Sequence, residues 1–120
     1  MSYSILVVDD NREYVGAESM IATTVTHVEH SWDAVRELRR THYDEVWLDY
    51  DLHGDDKGSN VTRFIRDNLD RIDYFHTTFY IHSFNPAGRT SMQMILRDTG
   101  IEAVMTDLKN FKDKPKITSF

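Results

Sequence analysis

The sequence predicts a doubly wound α/β domain built on a five-stranded parallel sheet in the order 2-1-3-4-5. Short apolar runs alternate with stretches of helical spacing along nearly the whole chain. The strongest run, Ile5-Leu6-Val7-Val8, has no polar alternation, which is the pattern of a strand buried on both faces. Parallel neighbours need crossover connections, and these are right-handed, so helices cover the sheet. With 120 residues, 40% of them hydrophobic, residues 1–120 are predicted as one domain with its own core.

Ile5 to Val8 is the first strand and is expected at the centre of the sheet; it stops at Asp9-Asp10. Residues 25–29 are a weaker second strand, after which Ser31 is placed to cap a helix with Trp32, Val35 and Leu38 on one stripe, ending near Thr41. Residues 45–48 are the third strand, stopping at Asp49, and residues 53–58 read as a polar loop. The helix after it carries Val61, Phe64, Ile65 and Leu69 on one stripe. Residues 78–81 are the fourth strand. Asn85-Pro86 then opens a helix with a cap residue and a proline at its first position, and Met92, Ile95 and Leu96 form its buried stripe. Gly100 ends that helix, and residues 101–105 make a short fifth strand. Residues 106–120, with Lys109, Lys112, Lys114, Pro115 and Lys116, read as an irregular basic tail or one short extra element.

Fourteen basic residues against 20 acidic give a net charge of -6, a field that repels polyanions and excludes broad DNA binding. Cysteine is absent, so disulfides, thiolate metal sites and a cysteine nucleophile are excluded. The early apolar run is far shorter than the roughly 20 residues of a membrane span. A soluble, cytoplasmic protein with no membrane partner is expected.

Ligands of doubly wound sheets bind beyond the carboxyl ends of the strands. The residues there are Asp9 and Asp10, Asp49 and Asp51, then His82, Ser83 and Asn85, then Thr106 and Asp107. Carboxylates that converge on one crevice repel one another unless a cation lies among them, and an open all-oxygen site suits Mg²⁺. Asp10 and Asp49 are expected to bind it directly and Asp9 through water. On the opposite wall, Asn85-Pro86-Ala87-Gly88-Arg89 combines a helix N-terminus, a glycine for close approach and a guanidinium, a set that would accept phosphate. Of His82 and Ser83, one side chain should face the crevice and the other the fold, since side chains alternate along extended backbone. A neutral His82 imidazole would serve as acid or base near pH 7. His27, His30, His42 and His76 read as surface or local-structure residues, and His53 as the other histidine that approaches the site. The loop at 51–56 lacks the spacing of a calcium-binding EF-hand.

The Ile5-Leu6-Val7-Val8-Asp9-Asp10 run, the Leu48-Asp49 strand end, Gly58 and Ser83 resemble a response-regulator receiver domain, a flavodoxin-like fold, over nearly the whole chain. The resemblance implies that Asp9 and Asp10 hold magnesium, Asp49 is the phospho-accepting acid, the Asp51 carbonyl completes the metal sphere and Ser83 contacts the phosphate. Where receivers carry a lysine at the fifth strand, this chain reads Val104-Met105-Thr106-Asp107-Leu108, with Lys109 displaced. A narrower resemblance is to the cyclic-phosphate-processing receiver family. It rests on Asp9-Asp10-Asn11-Arg12, on Leu48-Asp49-Tyr50-Asp51-Leu52, with Tyr50 in place of the family's histidine, and on His82-Ser83-Phe84-Asn85-Pro86-Ala87-Gly88-Arg89. It implies a magnesium-dependent phosphoesterase acting on a small cyclic or terminal phosphate, such as a nucleotide or an RNA end. Asp49 would be nucleophile or base, His82 the proton donor, and Asn85, Gly88 and Arg89 the phosphate grip. The alternative is a receiver-like switch that accepts a phosphoryl group at Asp49 or binds a protein partner.

Overall fold

The computed structural model describes residues 3–10, 23–70 and 73–106. Strands β1 (Tyr3–Val8), β2 (Thr23–Val28), β3 (Glu45–Leu48), β4 (Thr78–Ile81) and β5 (Val104–Met105) form one sheet. Their order is β2-β1-β3-β4-β5 with every neighbouring pair parallel, as the sequence predicts. Between them run α1 (Ser31–Arg40), α2 (Ser59–Asp67) and α3 (Pro86–Asp98).

The period-2 alternation of β1 divides its apolar run between two clusters. Leu6 and Val8 join Val46, Leu48, Phe79 and Ile81 on one face, against Ala34 and Leu38 of α1, Val61 and Ile65 of α2, and Met92 and Leu96 of α3. Ile5 and Val7 join Trp47 on the other face, where Tyr80 stacks on the indole at 4.2 Å. Glu45 is buried there, and its carboxylate accepts hydrogen bonds from the Tyr3 hydroxyl and from Trp47 Nε1, which offsets the cost of taking a carboxylate out of water. Asn11, Arg12, Asp107, Lys109 and the tail beyond Thr106 lie outside the described residues.

Four local expectations are corrected. Ser31 is the first residue of α1 rather than its cap, and the acceptor is Asp56, which takes the Ser31 N–H at 2.6 Å and the Ser31 hydroxyl at 2.5 Å. The buried face of α1 is accordingly Ser31, Ala34 and Leu38, and Trp32 lies exposed with its ring stacked on His30 at 4.3 Å. In α2, Val61 and Ile65 are buried and Phe64 and Leu69 pack against the same core as expected, but the helix ends at Asp67, so Leu69 joins from beyond its end. The fifth strand is two residues long because the Ile101 N–H bonds back to the Leu96 carbonyl and the Gly100 N–H to Arg97. That is a Schellman ending on left-handed Gly100, and it withdraws Ile101 from the ladder.

The register positions the site. Val8 pairs with Val28 and Leu48, Leu48 with Ile81, and Ile81 with Met105. One further rung follows, with the N–H groups of Asp9, Asp49, His82 and Thr106 bonded to Val28, Val8, Leu48 and Ile81 at 2.9 to 3.0 Å. Glu29, Asp9, Asp49, His82 and Thr106 therefore stand in one row across the carboxyl edge.

Candidate metal and phosphate site

Asp9 and Asp49 are neighbours in that row, and Asp10 follows Asp9. Carboxylate oxygens of all three lie within 4.8 Å of one another. Asp9 is buried, while Asp10 and Asp49 are half-buried and open to the crevice. Burial first, and the charge of Asp9 next, push the Asp49 carboxyl up to about 7, against the opposing hydrogen bonds from the Tyr50 N–H at 2.8 Å and the Ser83 hydroxyl. A cluster this tense without a cation, made only of oxygen donors and open on one side, fits a hard divalent ion such as Mg²⁺. Asp51 stands apart: its exposed carboxylate pairs with Lys57 at 2.9 Å. Only its carbonyl is left for the metal role that the resemblance implies.

Two glycines shape the cluster. Gly58 donates its N–H to the Tyr50 carbonyl at 2.7 Å, and a Cβ on it would stand 1.9 Å from the Asp49 carbonyl oxygen. The loop can close on the end of β3 only without a side chain there. At Gly88 a Cβ would meet the Tyr50 ring at 2.2 Å. The close approach anticipated for a phosphate is thus taken by Tyr50, whose ring rests on the first turn of α3.

That turn is capped as expected, with Pro86 at its first position and Asn85 Oδ1 accepting the Gly88 N–H at 3.0 Å. The Arg89 N–H goes to the Asn85 carbonyl at 2.9 Å, which leaves the Ala87 N–H in this turn. The anion wall therefore has fewer free amides than its sequence suggests. Arg89 is half-buried and makes no ion pair with any described residue. Asn85 Nδ2 points across to Asp51 Oδ2 at 3.5 Å.

His82 and Ser83 divide as alternation requires. Ser83 turns its hydroxyl to Asp49 and also accepts the Asn85 N–H at 3.1 Å. The His82 side chain has no exposed surface; its Nδ1 lies 3.6 Å from Asp9 Oδ2, and its ring is 6.3 Å from that of Trp47. A buried ring does not reach a leaving group in the crevice, so His82 meets the site through Asp9. His27, read as a local-structure residue, touches the site: its Nε2 bonds the Asp9 carbonyl at 2.8 Å. A carbonyl only accepts, so Nε2 carries the hydrogen. His53 stops at Glu29 Oε1, 2.7 Å away, at the β2 end of the row.

Residues 4–98 match the model of the family described as the cyclic-phosphate processing receiver domain. The chain belongs to that family. Solved receivers share the fold of this cyclic-phosphate-processing receiver. One is the receiver domain of the sensor histidine kinase PA1611 from Pseudomonas aeruginosa PAO1, with magnesium coordinated in its active-site cleft (22% identity, TM-score 0.62, 95% of this chain and 97% of that one). Another is a CheY-like receiver domain from Methanospirillum hungatei JF-1 (14% identity, TM-score 0.63, 95% and 94%). A third is a response regulator from Burkholderia pseudomallei with a phosphorylated aspartic acid, calcium and citrate (15% identity, TM-score 0.61, 92% and 64%). No curated protein matches the chain. No helix among the described residues is long and apolar enough to cross a membrane.

Proposed function

We propose that this receiver is a magnesium-dependent phosphoesterase that opens or removes a small cyclic or terminal phosphate. The observation that carries the reading is the juxtaposition of the Asp9, Asp10 and Asp49 cluster with Ser83 and Asn85, at the start of the helix that carries Arg89 in its first turn. Asp9, Asp10 and Asp49, with the Asp51 carbonyl, would hold Mg²⁺, which neutralises the acids and polarises the phosphoryl group. The Ser83 hydroxyl, the Ala87 N–H and the Arg89 guanidinium orient the phosphate oxygens, and donors held in place before reaction strengthen as charge develops on them. Asp49 acts as base toward a water whose oxygen adds to phosphorus while its proton passes to the leaving oxygen. Alternatively it acts as nucleophile to give an acyl phosphate that water then hydrolyses, with water supplying the leaving oxygen's proton. His82 works as a positioning residue that fixes Asp9 from below.

Ser83 against Asp49 also supports a second reading, a switch phosphorylated at Asp49. Against it stands Thr106, which takes the place in the row next to His82 where a receiver's lysine is expected. Incubation with Mg²⁺ and either a nucleoside 2′,3′-cyclic phosphate or acetyl phosphate separates the two. Conversion of the cyclic ester to a monoester, lost in EDTA and in Asp49→Ala, is the expected result. A stable adduct at Asp49 from acetyl phosphate, with the cyclic ester untouched, would establish the switch instead.

A further inference from the structure

We propose that Phe84 is a stacking platform for the base of a mononucleoside phosphate, a specificity that presupposes phosphate processing at the acid cluster. Phe84 is 92% exposed, the most exposed large apolar side chain among the described residues. Core packing does not account for it. Its backbone, in contrast, is held on both sides by residues committed to the site. Ser83 turns its hydroxyl toward the Asp49 carboxylate and accepts the Asn85 N–H, while Asn85 caps α3 through Gly88 and reaches toward Asp51. Consecutive Cα atoms are about 3.8 Å apart, so the Phe84 backbone lies beside both site residues and its ring is open to solvent next to the crevice.

An aromatic ring on a fixed mount loses little conformational freedom when a second ring stacks on it, and every base offers a π-face. The other exposed rings do not compete for this role. Trp32 already carries His30 on its face at the β2 side, and Phe75 precedes β4, at the opposite edge of the sheet. Net charge of -6, together with Asp51 and Asp55 exposed in the adjoining loop, disfavours a long polyanion. One phosphate site and one ring suit a single nucleotide better than an RNA tract or a polyol phosphate.

The test compares adenosine 2′,3′-cyclic phosphate with glycerol 1,2-cyclic phosphate, with Mg²⁺ present, for wild type, Phe84→Ala and Phe84→Trp. Affinity is read by calorimetry and turnover by product formation. Phe84→Ala is expected to weaken the adenosine ester about ten-fold, through KM rather than kcat, to leave the glycerol ester unchanged, and to be rescued by Phe84→Trp. Equal binding of the adenosine ester by wild type and Phe84→Ala would overturn the platform while leaving phosphate processing intact. Equal weakening of both esters would also overturn it, because the loop and not the base would be affected. If wild type neither binds nor turns over either ester, the phosphoesterase reading fails, and the platform with it.

Discussion

The carbonyl oxygen of Asp49 occupies the space into which a side chain on Gly58 would project, 1.9 Å from an ideal Cβ. The turn that aims the Asp49 carboxylate and the loop that returns to α2 are therefore one tightly packed unit. Gly58→Ala should force the two apart, at a cost of about 2 kcal/mol or more, and should weaken Mg²⁺ binding. Gly54 makes a sharp control, since its φ is +61° but nothing lies within 4 Å of its Cβ position. Gly54→Ala should cost about 1 kcal/mol from backbone strain and leave Mg²⁺ affinity intact. Thermal melts with and without Mg²⁺ measure both, and equal Mg²⁺ responses in the two variants would contradict the packing account.

Asp56 ties that same loop to α1. Burial works against its carboxylate, but the two Ser31 donors and Asn60 outweigh it and hold the group below the usual carboxylate range. A depressed folded value means that the stabilisation is present above the unfolded pKa of about 4 and is lost as pH falls through the folded value. Asp56→Ala should cost about 2 to 3 kcal/mol at pH 7 and Ser31→Ala about 1 kcal/mol. The Asp56 effect should shrink on acidification. A double-mutant cycle at pH 7 and at low pH reads the coupling directly.

Asp49 behaves in the opposite sense. Burial and the charge of Asp9 raise its carboxyl to about 7 in the metal-free protein. An unfolded chain loses that proton near pH 4, at about the ordinary Asp value. The folded state binds the extra proton across that window, so metal-free stability falls as pH rises from about 4 to about 7 and then levels off. Asp49→Asn should raise metal-free stability at pH 8 by roughly 1 to 2 kcal/mol, allowing for solvent screening of a half-buried group, with little effect at pH 4. It should also abolish most of the Mg²⁺-induced rise in Tm. A variant no more stable than wild type at pH 8 would show that the acids do not strain one another.

Features written in contiguous residues were legible in the sequence. Glu45–Leu48 and Thr78–Ile81 stand as the apolar runs place them, and Asn85-Pro86 caps α3 because cap and helix are adjacent. The metal cluster was legible for a related reason: parallel strands in register bring strand-end acids together. Contacts made by distant residues were not. The cap of α1 comes from Asp56, 25 residues away, and Gly88 makes room for Tyr50 rather than for a ligand. Alternation showed that His82 and Ser83 face opposite ways, but which one reaches Asp49 depends on the sheet face that Trp47 and Asp9 share.

The most direct measurement of the central claim is a calorimetric titration of a nucleoside 2′,3′-cyclic phosphate into the protein in Mg²⁺ and in EDTA, repeated with Arg89→Ala. The guanidinium contact is charge-assisted and contributes roughly 1.5 to 3 kcal/mol, so the account predicts binding in Mg²⁺, loss of binding in EDTA, and affinity weakened about ten-fold or more in Arg89→Ala. The Tm of that variant should be close to wild type. Binding that is the same in EDTA, or the same in Arg89→Ala as in wild type, would contradict a metal-dependent phosphate site between the acids and the start of α3.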